Sequence, residues 1–569
     1  MTSMRSRIVV AAVVLASLVQ PLSAQRGNSV PSVSVRPPDF IYKVTAGAAL
    51  PSLGWKIGVP IGALKADSFP EAAGMVDGLQ LGYFEATPAE LPYTLDEAAL
   101  AVAARRIQEL RLGLSAYHVA QLPEGAERIR GLFEFARRLN IETIIVSPEP
   151  AALADLDALA AEFNVKVALR NGTRRQTPAY WSPQGMLSAI AGRSASVGLA
   201  VDIAAWQREK VEPVAALRQV YRHVTAISLP DSAALAAAEP ILLELSRLQS
   251  CADCRGRRFP TTPVFVSLGL ADPQSVGVLS RALLPAIGYR INEISRATPT
   301  VPVETIPAAE REAIEKGLPR LAIVKPKQPR KLLVLDLCPQ NGYFHQTIAH
   351  ANLALDLMGR NTRAFEPVFD NNLANLKYPA IKQYDAIFLN STTGDVFSDP
   401  EVLSGLIRFI QEGGGLAGIH GASYTSMILP AFSELIGAAD GPHRVEEATV
   451  KIDDPDSPLT RSFGGKSFTR VDEFYHFLPT GPYSREKLRV LLALDTERSE
   501  TSGEQLRPDR DYGLSWIKRV GKGRVFYTAL GHTPTLFATP ALAEHVLAGI
   551  QFALGDLEAD ATPSATRRQ

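Results

Sequence analysis

Short apolar runs alternate with longer helix-like stretches along most of the chain, and this alternation constrains the fold more than any other feature. Between residues 46 and 296 the alternation repeats eight times. The strand-like runs are 55–59, 78–83, 113–117, 143–147, 165–169, 197–201, 224–228 and 264–268. Eight strand–helix units over roughly 250 residues are typical of a closed (β/α)8 barrel. We therefore predict a TIM-like barrel over 46–296.

A second α/β region follows a proline-rich segment. Residues 297–330 hold six prolines around one helical stretch and are predicted to be a linker. From 331 to 556 strands and helices alternate again, which predicts a flavodoxin-like, doubly wound α/β domain. Its clearest strand-like runs are 331–337, 386–390 and 416–419. A chain of 569 residues is too long for one core, so two domains are expected. Residues 557–569 are predicted to be a disordered tail.

The first 24 residues have the pattern of a secretory signal peptide. Arg5 and Arg7 precede the apolar run 8–19, and Ala24 ends a small-residue cleavage site. No later run approaches the roughly 18 apolar residues of a membrane-spanning helix. We therefore expect an exported, periplasmic protein without a membrane span.

Charge and cysteine content exclude several classes of function. Lys plus Arg and Asp plus Glu number 59 each, so no net field attracts nucleic acid or an anionic membrane. Of the three cysteines, Cys251 and Cys254 form a Cys-x-x-Cys and are predicted to close a loop disulfide. A c-type haem is excluded because no histidine follows Cys254.

Histidines concentrate in the second region, where seven of the nine lie beyond residue 340. His345, His420 and His532 each follow a strand-like run, and the carboxyl ends of parallel strands meet at one edge of a sheet. Glu473 adds a carboxylate that can exchange protons with imidazole. We predict that these four residues are catalytic. For any single histidine, a structural role in capping its strand is left open.

Other residues near these motifs are candidates for substrate binding. They are Tyr343, Gly421, His443, Asp472, Tyr475, Trp516, Arg524 and Tyr527. A structural alternative stays open for Asp472 and Glu473, which could be an acidic pair that holds Arg524. A divalent metal at the histidines is also left open, because no strict ligand spacing is present.

Six short motifs occur in a fixed order in the second region. They are Gly342-Tyr343-Phe344-His345, Gly413-Gly414-Gly415-Leu416-Ala417-Gly418-Ile419-His420-Gly421-Ala422, Leu435-Ile436-Gly437 with His443, Asp472-Glu473-Phe474-Tyr475, Ser515-Trp516, and Gly521-Lys522-Gly523-Arg524-Val525-Phe526-Tyr527 with Gly531-His532. This set resembles the ThuA (trehalose-utilisation) family. The resemblance implies a class I glutamine-amidotransferase-like fold and a role in carbohydrate metabolism. His420 stands where an amidotransferase has its nucleophilic cysteine, so glutaminase activity is not expected.

The first region resembles the xylose-isomerase-like sugar isomerases and epimerases. The positions that carry the resemblance begin at Asn171, Gly198 and Ser228. The family pattern has Asn-His, Asp-x-x-His-Trp and His-x-Lys-Asp there. This chain departs from it at Gly172, Ala205, Ser228 and Pro230. We therefore expect a degenerate barrel without a metal site, in which Glu85 and Glu142 are the leftover carboxylates.

Two classes of function remain. The first is an exported carbohydrate-processing enzyme that hydrolyses or eliminates a disaccharide, glycoside or oxidised (keto) sugar at the histidines. The second is a non-catalytic carbohydrate-binding or assembly protein. In that case the aromatic residues Trp206, Tyr424, Trp516 and Tyr527 would face sugar rings. A sugar isomerase or epimerase that uses the barrel is a further alternative. Each reading implies a small-molecule carbohydrate as the partner.

Overall fold

The structure is a computed structural model that describes residues 53–249, 264–339, 342–427, 429–439, 441–499 and 507–566. The predicted signal peptide lies outside these residues, as does the predicted disulfide between Cys251 and Cys254. In the described part of the chain, no helix combines the length and apolar character needed to cross a bilayer.

Eight parallel strands close the predicted barrel in chain order. The strands are β1 Lys56–Pro60, β2 Tyr83–Ala86, β3 Gly113–Val119, β4 Thr143–Val146, β5 Lys166–Arg170, β6 Val197–Asp202, β7 Val224–Leu229 and β8 Phe265–Leu268. The helices are α1 Phe69–Gly78, α2 Glu97–Glu109, α3 Ala126–Arg138, α4 Leu153–Phe163, α5 Pro183–Ile190, α6 Ile203–Arg208, α7 Pro213–Val220, α8 Ser232–Ala236, α9 Ala238–Leu248 and α10 Pro273–Ala297. The TIM-like fold class is therefore confirmed.

The second strand begins later than its apolar pattern predicts. The prediction was 78–83, whereas β2 covers Tyr83–Ala86. Helix α1 extends to Gly78, and the chain then turns through Gln80, which has a left-handed φ of 58°, before the strand begins. This shift places Glu85 inside a strand, close to its carboxyl end.

Side chains inside the barrel form layers. A buried apolar layer takes one residue from each of seven strands: Tyr83, Ala116, Ile145, Ala168, Ala200, Ala226 and Phe265. Side chains on a strand alternate between its two faces, so residues two positions further along point inward as well. The next layer toward the carboxyl mouth is therefore polar, and its members are Glu85, His118, Ser147, Arg170, Asp202, Ser228 and Ser267. We call these seven residues the polar layer.

A nine-stranded mixed sheet forms the second domain in the order β10-β9-β11-β12-β17-β16-β15-β13-β14. Its strands are β9 Lys331–Leu335, β10 Glu366–Phe369, β11 Ala386–Asn390, β12 Gly415–Ile419, β13 His443–Ile452, β14 Phe468–Tyr475, β15 Arg489–Leu494, β16 Gly513–Val520 and β17 Gly523–Thr528. The helices that follow α10 are α11 Ala308–Gly317, α12 Ile348–Thr362, α13 Pro400–Glu412, α14 Pro430–Ile436 and α15 Pro540–Leu554. The α/β class is confirmed, and an antiparallel extension is added to it.

The sheet topology brings several loops to one edge. Strands β10, β9, β11, β12 and β17 are parallel, in the flavodoxin-like order in which the chain reverses direction across the sheet beside β9. The loops after β9, β12 and β17 therefore leave from the same edge. The hairpin of β13 and β14 pairs His443 with Tyr475, which places its open end beside these loops.

The predicted linker and the predicted tail both pack against the second domain. In the linker, the backbone amides of Ile323 and Val324 donate to the side chain of Gln551. Residues 557–566, which were predicted to belong to a disordered tail, make hydrogen bonds with the second domain. There the Ser564 hydroxyl accepts from the Val490 amide at 2.9 Å, and the Ala565 amide donates to a carbonyl. These backbone hydrogen bonds hold the end of the described chain against β15.

Candidate functional site

His420 lies at the centre of the candidate site. It follows β12 directly and is fully buried, with a left-handed backbone φ of 46°. Its Nδ1–H donates to the Ala529 carbonyl at 2.9 Å, and the Tyr527 hydroxyl donates to the His420 carbonyl at 2.7 Å. Strained turns of this kind persist where surrounding contacts over-determine them, which is common at functional sites. Strand β17 and the loop after it thus fix both the ring and the turn.

A ring nitrogen of His420, a carboxylate oxygen of Glu473 and a ring nitrogen of His532 form a triangle. His420 Nε2 lies 3.3 Å from Glu473 Oε2 and 3.2 Å from His532 Nδ1. The distance between His532 Nδ1 and Glu473 Oε2 is 3.2 Å. His420 Nδ1–H donates to the Ala529 carbonyl. When the ring is neutral, the lone pair of Nε2 therefore points into the triangle.

His345 completes a group of four from the loop after β9. Its ring lies edge-on to those of His420 and His532, with centroid separations of 4.5 and 5.6 Å. The side chain is buried, and Nδ1 has no hydrogen-bond partner among the described residues. A ring nitrogen of His345 and the three triangle atoms all lie within 4.8 Å of one another. We call His345, His420, Glu473 and His532 the histidine cluster.

Gly421 makes room for this arrangement. A Cβ at position 421 would lie 2.9 Å from Thr393 Cγ2 and 3.0 Å from His345 Cε1. Any larger residue would therefore force His345 or Thr393 to move. Gly421 was predicted to bind substrate, and the structure gives it this packing role.

Asp472 positions the loop that carries His532. It is fully buried and accepts the backbone amides of Gly531, His532 and Thr533 at 3.1 to 3.3 Å. Arg470 supplies its positive partner at 2.8 Å. Asp472 was predicted to bind substrate, and in the structure its oxygens are engaged inside the fold. Arg470 was missed, although its position two residues earlier on β14 places it on the same face of that strand.

Burial and mutual contacts shift the pKa values in the cluster. Burial, and after it the charges of His420 and His532, lower the pKa of His345 to about 2. The hydrogen bond with Glu473 raises the pKa of His532. Burial by itself raises the pKa of Glu473, but hydrogen bonds with His420 and His532 outweigh it and hold that pKa below its ordinary value. The cluster therefore combines a neutral imidazole with a coupled carboxylate–imidazole pair.

One further predicted residue lies beside the cluster, and two lie at its outer rim. The Tyr475 hydroxyl is 3.1 Å from His420 Nε2, and burial raises the pKa of this phenol well above its ordinary value. His443 lies on the exposed rim, and its ring packs edge-on against Tyr475. Tyr343 is 55% exposed and packs edge-on against His345. A ligand that reaches the cluster would pass Tyr343 and His443.

Three residues predicted to bind substrate lie elsewhere. Trp516 is fully buried, and its Nε1–H donates to the Ile436 carbonyl at 2.9 Å. Tyr527 is also fully buried and supports the His420 turn. Arg524 lies at the opposite end of β17 and pairs with Glu558 at 3.5 Å, so it is not held by Asp472 and Glu473. The structure thus gives these three residues supporting positions, because they share motifs with the site in sequence but lack a surface open to it.

The single cysteine near the site is half-buried. The Sγ–H of Cys338 donates to the Ser391 carbonyl at 3.6 Å, and burial raises the pKa of its thiol to about 11. A thiol with this pKa stays protonated at neutral pH and is a poor nucleophile.

The barrel carries a second cluster, which contains its own cation. Arg170 Nη2 donates to Asp202 at 3.0 Å and lies 3.4 Å from the Ser228 hydroxyl. Arg170 Nη1 lies 3.3 Å from His118 Nδ1 and 3.9 Å from Glu85 Oε1. Burial, and after it the nearby guanidinium, lower the pKa of His118 to about 4. The positive charge amid the barrel's buried carboxylates is thus a guanidinium.

Glu142, the other leftover carboxylate, does not join the polar layer. It contacts the ammonium group of Lys56 instead. Burial outweighs the attraction of Arg170 and raises the pKa of Glu85, which also accepts the Ser267 hydroxyl at 2.8 Å.

Residues 333–553 match the model of the ThuA family, described as trehalose utilisation. The second domain is a ThuA domain. Among solved structures, a ThuA-like protein from Bacteroides uniformis ATCC 8492 is 19% identical with a TM-score of 0.35, covering 42% of this chain and 98% of that one.

Two sugar epimerases are also similar to this chain. D-psicose 3-epimerase, solved in the presence of D-fructose, is 12% identical with a TM-score of 0.33, covering 40% of this chain and 96% of that one. The 3-keto-D-glucoside 4-epimerase of E. coli is 15% identical with a TM-score of 0.31, covering 40% of this chain and 98% of that one. No match was found among curated proteins.

Proposed function

We propose that the protein is an enzyme that processes a carbohydrate at the histidine cluster of its ThuA domain. The observation that carries this proposal is the convergence of three imidazoles and a carboxylate from separate segments of the fold. Such a set is costly to bury, and the backbone around His420 is strained to hold it. The description of the family, trehalose utilisation, supports a sugar as the class of substrate.

The reaction that fits this set is hydrolysis or elimination at a carbon–oxygen bond of a disaccharide, glycoside or oxidised (keto) sugar. In hydrolysis, water gives a hydroxyl group to the carbon and a proton to the leaving oxygen. In elimination, a base removes a proton from carbon while the leaving oxygen takes up a proton. Both reactions need groups that accept and donate protons within reach of the same substrate atoms. The cluster supplies such groups, and we further propose that the protein acts after export, in the periplasm.

The non-catalytic alternative has less support. It relies on aromatic side chains that face a sugar, yet Trp206, Trp516 and Tyr527 are fully buried. Tyr424 is partly exposed, but its hydroxyl contacts His443 and the Gly441 carbonyl. Of the four aromatic side chains that this alternative uses, three are therefore buried and the fourth has its hydroxyl engaged.

The polar layer supports a second candidate function, in which the barrel binds or isomerises a sugar at its mouth. Catalytic residues of such barrels lie at the carboxyl ends of the strands, where Glu85, His118 and Asp202 are found. This candidate is separable from the first, because Asp202→Asn would impair only an activity that belongs to the barrel.

Replacing His420 tests the main proposal. His420→Asn keeps a residue type that tolerates a left-handed backbone, so the fold should be retained. We expect turnover of oxidised and unoxidised disaccharides to fall by roughly 1,000-fold, and the melting temperature to change by only a few degrees. His350→Gln is the matched control, since His350 contacts Glu310 outside the cluster and its loss should leave turnover unchanged. Unchanged turnover in His420→Asn would remove the cluster from consideration.

A further inference from the structure

We infer that the histidine cluster is built to hold one divalent transition-metal cation. The reaction that the cation would serve rests on the proposed function, whereas the site itself rests on the geometry of four side chains. Three nitrogen donors and one carboxylate are ligands that suit zinc and its neighbours in the first transition row.

The spacing of the triangle fits such a cation. Zinc binds imidazole nitrogen and carboxylate oxygen at about 2.0 to 2.2 Å, so two ligands of a tetrahedral site lie about 3.3 to 3.5 Å apart. The three atoms His420 Nε2, Glu473 Oε2 and His532 Nδ1 lie 3.2, 3.2 and 3.3 Å apart. Their separations are thus close to those of three ligands around one ion.

The protonation state of His420 decides whether its contact with Glu473 is attractive without a cation. The proton on His420 Nδ1 is committed to the Ala529 carbonyl. A protonated ring would donate Nε2–H to Glu473 Oε2, whereas a neutral ring sets the lone pair of Nε2 against that carboxylate oxygen. A cation between them replaces this repulsion with two attractive contacts.

The hydrogen bonds around the cluster resemble those around histidines that bind a metal. A metal-binding histidine typically donates its other ring N–H to a carbonyl or carboxylate, which fixes its orientation and tautomer. His420 makes this contact with Ala529. His345 adds a buried ring whose Nδ1 has no hydrogen-bond partner among the described residues.

A cation bound by the three atoms of the triangle would keep one coordination position for a reaction. Catalytic zinc sites use three protein ligands and keep one position for water or substrate. His345, whose ring nitrogen lies farther out, would share that fourth position with a sugar oxygen or a water molecule. A cation here would polarise a sugar oxygen and acidify bound water, and the Tyr475 hydroxyl would then be the nearest protein group for proton transfer.

The test measures cation binding by the full chain. Cys251→Ser and Cys254→Ser are introduced first, because thiolates also bind these metals. The chelator-treated protein is then equilibrated with Zn²⁺ for elemental analysis and calorimetry, and with Co²⁺ for its visible spectrum. We expect one equivalent of bound Zn²⁺ and the intense visible bands of tetrahedral Co²⁺.

Two variants locate the ion. His532→Ala removes a partly exposed donor from a surface loop and should weaken binding by roughly 100-fold. His443→Ala removes the neighbouring rim histidine and should leave the affinity within about threefold, because His443 is outside the cluster. Absence of stoichiometric Zn²⁺, or equal affinity in both variants, would overturn the inference.

Turnover separates this inference from the proposed function. One tightly bound cation without turnover of any sugar would leave the metal site standing and refute the function. Full turnover by chelated protein that binds no cation would support the function and refute the metal site.

Discussion

The barrel mouth and the histidine cluster both bring carboxylates to an edge where parallel strands end, and they differ in the source of positive charge. In the barrel, the guanidinium of Arg170 lies between Asp202 and Glu85. In the cluster, the ion-pair partners of Glu473 among the described residues are the imidazoles of His420 and His532. A guanidinium is permanently charged, whereas an imidazole is charged only with a proton and can otherwise bind a metal. The first arrangement is closed by the chain itself, and the second is open to protons and ligands.

This contrast also explains why similar positions in the sequence lead to different kinds of cluster. The barrel departs from the pattern that the sequence comparison led us to expect at Ser228, where a hydroxyl contacts Arg170. Both regions lie at strand ends, where ligands bind in such folds. Position at a strand end therefore does not distinguish a self-neutralised cluster from a reactive one. The charges of the side chains that contact the carboxylates do distinguish them.

Removing the barrel's cation should have the largest effect on stability. Arg170→Met would leave Asp202 and Glu85 close together without their positive partner, and breaking such a pair costs about 3 kcal/mol of unfolding free energy. Denaturant unfolding of both proteins measures the loss. Adding Glu85→Gln should restore part of it by removing one uncompensated charge. A variant as stable as the parent would show that Arg170 does not neutralise the layer.

A structural histidine provides the next comparison. His545 is buried on α15, where Nδ1–H donates to the Leu459 carbonyl and burial lowers the pKa to about 4. The unfolded chain takes up a proton near pH 6.5 and the folded chain near pH 4. Stability due to this residue is therefore complete above pH 6.5 and is lost as the pH falls toward 4, by about 2 kcal/mol at pH 5.

The variant His545→Gln isolates that contribution. Between pH 7.5 and pH 5 the parent should lose about 2 kcal/mol more unfolding free energy than the variant does. Turnover per folded molecule should stay the same, unlike that of His420→Asn. Identical pH profiles for the two proteins would assign the acid sensitivity to other groups.

A change in the packing behind the cluster should have the next largest effect, which is on turnover. Gly421→Ala would force His345 or Thr393 to move by several tenths of an ångström, because the added carbon lies 3.0 and 2.9 Å from their nearest atoms. We expect turnover to fall about tenfold, as is usual for groups that orient a site from behind. A crystal structure of the variant should show a displaced His345. If the ring is unmoved and turnover unchanged, its placement does not depend on this glycine.

The smallest effect is expected at the end of the sheet far from the cluster. Arg524→Met removes an exposed ion pair with Glu558, and such pairs contribute about 0 to 1 kcal/mol. Turnover should equal that of the parent. A large loss of turnover in this variant would contradict the division of β17 into a structural end and a functional end.

The sequence by itself determined the two α/β regions, because strand-like and helix-like stretches alternate along the chain with the spacing typical of such folds. It also determined that His345, His420 and His532 lie together, since each follows a parallel strand of one sheet. Tertiary structure decided which neighbours face them. Asp472 and Glu473 are adjacent on β14, and their side chains point to opposite faces, so one holds a loop and the other enters the cluster. Burial and the competition for hydrogen bonds separate these roles, and both depend on contacts between residues far apart in the chain.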